Sequence, residues 1–80
     1  MKIVYILISK KDPNRLYVGV TDDLKRRLAE HNCACSGYSK RYAPWHIRTF
    51  ITFLDEKQAT AFEKYLKSGS GFAFLKKRLV

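Results

Sequence analysis

Residues 16–31 read LYVGVTDDLKRRLAEH. The start of this stretch, Leu16–Val20, belongs to a run over Arg15–Val20 that is rich in β-branched and aromatic residues and reads as a strand. Thr21-Asp22-Asp23 then offers side-chain acceptors for the open amides of a helix start, with Thr21 or Asp22 as the expected cap. The helix runs from Leu24 to about His31. Each helical residue advances by about 100°. With Leu24 at zero, Leu28 falls at about +40°, His31 at about −20° and Arg27 at about −60°. Arg27 and His31 therefore border the apolar stripe and look toward the protein body, whereas Lys25 and Arg26 point away. Strand period puts Tyr17 on the face of Gly19. A glycine there removes the neighbouring side chain and opens a space that a backbone or ligand can approach closely.

Working outward, Ile3–Ile8 is a continuous apolar run closed by the turn residues Ser9-Lys10-Lys11-Asp12-Pro13-Asn14. It pairs with Arg15–Val20 as a hairpin. Tyr5 shares a face with Ile3 and Leu7, and the hairpin lets the Tyr5 and Tyr17 hydroxyls emerge near one site. Asn32–Pro44 reads as a loop and His46–Phe53 as a third strand. Asp55 caps a second helix from Glu56 to about Lys67, Ser68-Gly69-Ser70-Gly71 breaks it, and Phe72–Leu79 reads as a short basic third helix. The expected architecture is α+β in the order ββαβαα. Its mainly antiparallel sheet packs against helices in one domain over residues 1–80.

On the second helix, with Ala59 at zero, Phe62 falls at about −60°, Leu66 at about −20° and Glu63 at about +40°. Glu63 thus sits inside the apolar stripe. An inward carboxylate is costly unless a cation or hydrogen bonds compensate it. One reading pairs Glu63 with Arg27 in a structural ion pair. The other gives Glu63 a divalent metal and Arg27 a phosphate, and oxygen ligands with open water positions suit Mg²⁺ or Mn²⁺.

The 80 residues hold 16 Lys and Arg against 7 Asp and Glu, a formal net charge of +9. So cationic a small domain points to a polyanion, nucleic acid ahead of an anionic membrane surface. No stretch is long and apolar enough to span a bilayer. The opening MKIVYILISKKD has too short an apolar run, and no small-residue cleavage site, to be a secretory signal. Cys33 and Cys35 make no disulfide framework, so a reducing cytoplasm is the expected compartment. Their Cys-x-Cys spacing is tighter than structural zinc sites use. The stretch Ser36–Trp45 interleaves cations with aromatics, which suits phosphate contact and base stacking. Tyr38, Lys40 and Arg41 are its expected nucleic-acid contacts, while Trp45 and Tyr42 also suit a core role. Lys76-Lys77-Arg78 adds a basic helix face.

Together these residues resemble the GIY-YIG nuclease superfamily. The first signature stands as Val4-Tyr5-Ile6 and the second as Tyr17-Val18-Gly19. Thr21 through Asn32, Ala61-Phe62-Glu63-Lys64-Tyr65-Leu66-Lys67-Ser68-Gly69 and the ending Phe74-Leu75-Lys76-Lys77 resemble the small stand-alone bacterial members. Val4 replaces the first signature's glycine and Val18 the second's isoleucine. The resemblance implies a three-stranded antiparallel sheet flanked by helices, and cleavage of DNA phosphodiesters with one divalent metal, Mg²⁺ or Mn²⁺. It implies that Tyr5, Tyr17, Arg27, His31 and Glu63 are catalytic, with Glu63 on the metal. Lys67, Lys76 and Lys77 are further expected nucleic-acid contacts through their charge. The implied setting is DNA repair or processing of irregular DNA, in the nucleoid. The larger repair and homing enzymes of the superfamily carry separate DNA-binding domains, and none is visible in these residues. Three functions compete: a DNA endonuclease, a noncatalytic nucleic-acid-binding domain, and a nuclease subunit that needs a protein partner or a homodimer.

Overall fold

A computed structural model describes residues 1–32 and 41–80. Its strands are β1 (Lys2–Ser9), β2 (Leu16–Thr21) and β3 (Trp45–Phe53), and its helices are α1 (Leu24–Asn32), α2 (Glu56–Leu66) and α3 (Gly69–Arg78). The strands form one antiparallel sheet in the order β2-β1-β3. This is the expected α+β arrangement, with β1 in the centre and β2 at an edge.

Alternation along β1 divides its side chains between two layers. Val4 and Ile6 face α2 and α3 and pack with Ala59, Leu66 and Leu75. Tyr5 and Leu7 face the other way and pack with Trp45, Leu24 and Leu28, so α1 covers that face. A central strand buried on both sides explains why Ile3–Ile8 shows no polar alternation. Trp45 is buried, in keeping with its core reading, and half-buried Tyr42 packs against the same cluster.

Local chemistry sets the boundaries, and it differs from expectation at four places. Asp23, not Thr21 or Asp22, caps α1: its Oδ1 accepts the Arg26 amide at 3.1 Å. Thr21 acts one step earlier, accepting the Asp23 amide at 3.1 Å. Asn32 ends α1 instead of opening a loop, and Arg41 and Tyr42 are helical. The break after α2 falls at Lys67 and Ser68, and Gly69-Ser70-Gly71 is already the first turn of α3, because Ser68 caps that helix by accepting the Gly71 amide. A Cβ on Gly71 would lie 1.6 Å from the Tyr65 carbonyl oxygen, so the glycine permits the close approach of α2 and α3. Asp55 caps α2 as expected, accepting the Lys57 amide.

Candidate functional site

The hairpin register pairs Tyr5 with Gly19 and Leu7 with Tyr17. Tyr5 and Tyr17 are thus diagonal neighbours on the α1 face. Their rings lie nearly parallel at 18°, with centroids 6.3 Å apart. Tyr5 itself fills the space left by Gly19: a Cβ on Gly19 would fall 2.5 Å from the Tyr5 hydroxyl oxygen. The glycine therefore seats the tyrosine.

α1 brings Arg27 and His31 to that hydroxyl. Arg27 Nε donates to the Tyr5 oxygen at 3.2 Å. His31 Nε2 lies 3.2 Å from the same oxygen on its other side. With Nε2 unprotonated, the phenol donates to His31 while accepting from Arg27, which uses its donor and one acceptor site. The His31 ring meets Tyr17 edge-on at 4.3 Å and Trp45 at 6.5 Å. Lys25 and Arg26 are exposed, so the helix-face assignment separates the arginines as expected.

The electrostatics follow from burial. Tyr5 is 1% exposed. Desolvation holds its phenol above the ordinary value near 10, with the Arg27 hydrogen bond and charge pulling the other way. A cation-stabilised phenolate at rest, one of two routes by which a tyrosine base can operate, is therefore disfavoured. Burial, and then the Arg27 charge, hold the His31 imidazole below 6.5, so it is neutral at neutral pH. Arg27 is raised above its ordinary value by hydrogen bonds to Tyr5, Glu30 and Tyr17 and is firmly cationic.

Arg27 Nη1 pairs with Glu30 at 3.0 Å. Glu63 pairs with Lys67. The Arg27–Glu63 ion pair is thus not what compensates the inward carboxylate. The Glu63 side chain is only 14% exposed, against 72% for Glu56. Glu63 belongs to the α2 layer, on the far side of the sheet from Arg27. The two layers meet at the β2 edge, where Leu16, Tyr17, Val18, Leu66, Lys67 and Phe72 line a groove of about 420 Å³. Tyr17 thus touches both His31 and the groove that Lys67 borders.

Among the described residues no three His, Cys, Asp or Glu side chains cluster as a metal site. A lone shielded carboxylate is nevertheless the donor that hydrated Mg²⁺ uses when a substrate phosphate supplies further oxygens. Glu63 fits that chemistry, with the Lys67 ammonium standing where a cation would be attracted.

Among the expected nucleic-acid contacts, Arg41 is exposed beside the Tyr42 ring, its guanidinium carbon 5.6 Å from the centroid. Arg15 approaches the same ring at 5.0 Å. Lys67, Lys76 and Lys77 are exposed, with Lys76 over the Phe72 ring at 6.0 Å. Tyr38, Lys40, Cys33 and Cys35 lie outside the described residues. Two contributors escaped the sequence reading. Glu30 lies three residues from Arg27, a spacing at which helical ion pairs form, so it was detectable. Asn32 offered no local signal: its amide donates to the Trp45 carbonyl and accepts from the Trp45 amide, tying the end of α1 to β3.

A cationic α+β domain that gathers a guanidinium, two phenols and an imidazole at one point has the groups to engage a phosphodiester. Residues 1–77 match the GIY-YIG catalytic domain, and the chain belongs to the GIY-YIG family of nuclease domains. It is 40% identical over 65 residues to the structure-specific endonuclease subunit slx1 of Talaromyces marneffei, a match covering 74% of this chain and 17% of that protein. The chain thus spans less than a fifth of that relative's length. It is 34% identical to a UPF0213 protein of Clostridium perfringens, over 84% of this chain and 71% of the relative. The solution structure of a UPF0213 protein from Bacillus halodurans shares the fold, with a TM-score of 0.57 and 26% identity over 96% of this chain and 84% of that one. No helix among the described residues is long and apolar enough to cross a membrane.

Proposed function

We propose that this chain is a divalent-metal-dependent endonuclease that hydrolyses DNA phosphodiesters, acting on irregular DNA in repair or processing at the nucleoid. The observation that carries the reading is the Tyr5 hydroxyl held between Arg27 Nε and His31 Nε2, beside a groove that Tyr17 and Lys67 line. Arg27 presents its planar fork to a nonbridging phosphate oxygen as Glu30 yields, and neutralises charge that develops in the transition state. Tyr5 takes a proton from the attacking water while passing its own to His31 Nε2. This relay needs no resting phenolate, and the depressed basicity of His31 keeps it neutral and ready to accept. Tyr17 positions the water or the phosphate. As the new P–O bond forms, the bond to the leaving oxygen breaks, and that oxygen is protonated from solvent. Mg²⁺ or Mn²⁺ held by Glu63 would supply Lewis acidity toward the phosphate and the leaving oxygen.

The test is cleavage of labelled single-stranded, duplex, flap and junction DNAs with Mg²⁺ or Mn²⁺. Metal-dependent cutting that Glu63→Ala and Arg27→Ala each reduce by at least about 100-fold is the expected result. No cutting, with salt-sensitive binding intact in all three proteins, overturns it in favour of a noncatalytic binding domain. A second reading keeps the chemistry and adds a partner, either a homodimer or another protein. The slx1 relative is named as a subunit, which favours that variant, and sedimentation with and without DNA tests the homodimer.

A further inference from the structure

We propose that the groove at the β2 edge holds one unstacked base of single-stranded DNA, with Phe72 as its stacking surface. This rests on the nuclease reading and names its substrate class: DNA with an unpaired strand beside the scissile phosphate. Phe72 leaves 46% of its surface exposed; Tyr65 and Phe74 are exposed too, but their rings lie 6.2 Å from each other, and Phe72 is the one of the three that lines the groove. Its ring borders a groove of about 420 Å³ whose apolar wall is Leu16, Val18 and Leu66.

The rim is cationic at two points. Lys67 lines the groove, and Lys76 stands 6.0 Å from the Phe72 centroid. An apolar slot with ammonium groups at its edge matches a nucleotide, which joins a flat apolar base to a phosphate. It matches an acidic duplex poorly, because paired bases offer no free face to a ring. Tyr17 belongs both to this groove and to the Tyr5–His31 cluster, so a base here adjoins the phosphate at Arg27 along the same strand. The net charge of +9 favours a polyanion over a second copy of this chain.

Binding of fluorescein-labelled oligothymidylate, and of a duplex of equal charge, tests the proposal in EDTA, where no cleavage occurs. Phe72 is half-exposed, so Phe72→Ala should fold, and melting checks this. The expected result is about a tenfold loss of single-strand affinity in Phe72→Ala with duplex affinity unchanged. Phe72→Trp should retain binding, whereas Phe72→Leu should not. Lys76→Gln should lower the slope of log affinity against log salt by about 0.7 on the single strand. A 2-aminopurine base in the strand should be quenched by the wild type and not by Phe72→Ala. Equal weakening of both DNAs, or no change in either, overturns the proposal. So does loss of self-association in Phe72→Ala with single-strand binding intact, which would assign the groove to a second copy. Failure here leaves metal-dependent cutting intact, whereas failure of the nuclease reading shows only in the cleavage assay.

Discussion

The two faces of β1 are built from neighbouring residues for opposite purposes. On the α2–α3 side, Val4 and Ile6 meet Ala59, Leu66 and Leu75, a buried aliphatic cluster against which Phe53 and Phe62 also pack. On the α1 side, Tyr5 meets Tyr17, Arg27 and His31, and its one hydroxyl touches two polar partners. Each face depends on one glycine at its tightest contact. Gly71 admits the Tyr65 carbonyl, and Gly19 admits the Tyr5 phenol. Among the side chains of β1 itself, the difference separates stability from chemistry, while the proposed metal carboxylate, Glu63, is contributed by α2 at the margin of the apolar layer. Apolar burial is non-directional and proportional to area, whereas a proton relay needs fixed directions. Placing them on opposite sides of one sheet lets the first hold the second rigid.

That division is most severely challenged by substitutions at adjacent positions. Ile6→Ala removes buried aliphatic volume and should cost about 2–5 kcal/mol, lowering Tm by at least about 10 °C. Cleavage per folded molecule, measured well below the new Tm, should change little. Tyr5→Phe should do the reverse: cleavage falls by about 100-fold, for about 1 kcal/mol of stability from the lost hydrogen bonds. If both substitutions damage activity and stability alike, the two faces are not independent. Gly19→Ala sharpens the point, because its methyl can be accommodated only by moving the Tyr5 ring. Overpacking should cost about 1–3 kcal/mol in denaturant melts. Cleavage should fall by about tenfold through displacement of the hydroxyl, and unchanged cleavage would show that the Tyr5 position is not critical.

His31 makes the α1 face sensitive to pH. Its folded pKa lies below the 6.5 of an exposed imidazole, through burial first and the Arg27 charge second. Below about pH 6.5 the unfolded chain therefore takes up a proton that the folded chain resists. The stability contribution is fully present above that pH and declines as pH falls toward the folded pKa. Melting between about pH 7.5 and 5.5 should show a Tm decline in the wild type that is smaller in His31→Gln. The acid limb of cleavage should follow the folded pKa and lie below 6.5, because a protonated His31 cannot accept from Tyr5. An acid limb above 6.5 would remove His31 from the relay.

Much of this was legible in the sequence because it rests on period. Turns of about 100° placed Arg27 and His31 inward and Lys25 and Arg26 outward, and strand alternation put Tyr17 beside Gly19. The same arithmetic singled out Glu63 among the α2 acids. What escaped depends on partners distant in sequence or on tertiary contact overriding local propensity. Gly69-Ser70-Gly71 reads as a breaker because glycine is a poor helix former. Yet Gly71 is helical, because only a residue without Cβ fits against α2. Asn32 clamps Trp45 across thirteen residues, with no local pattern to announce it. The Glu63–Lys67 pair stands at the i,i+4 spacing of helical ion pairs and was detectable; what spacing does not show is that the sheet separates Glu63 from Arg27, which belongs to the tertiary fold.

The smallest expected effect concerns Glu30, the acid on the α1 face that pairs with Arg27 at 3.0 Å. Both partners are substantially exposed, so the pair adds at most about 1 kcal/mol to stability. Its carboxylate nevertheless competes with phosphate for the guanidinium fork. Glu30→Gln keeps the shape and removes the charge, so Tm should stay within about 3 °C of wild type. Affinity for single-stranded DNA in EDTA should rise by about two- to fivefold, and the gain should shrink as salt screens both contests. A fall in affinity, with Tm unchanged, would mean that Glu30 aligns Arg27 for the phosphate and does not compete with it. The polar face would then be preorganised by its ion pair as well as by its hydrogen bonds, a role with no counterpart in the aliphatic cluster on the other side of β1.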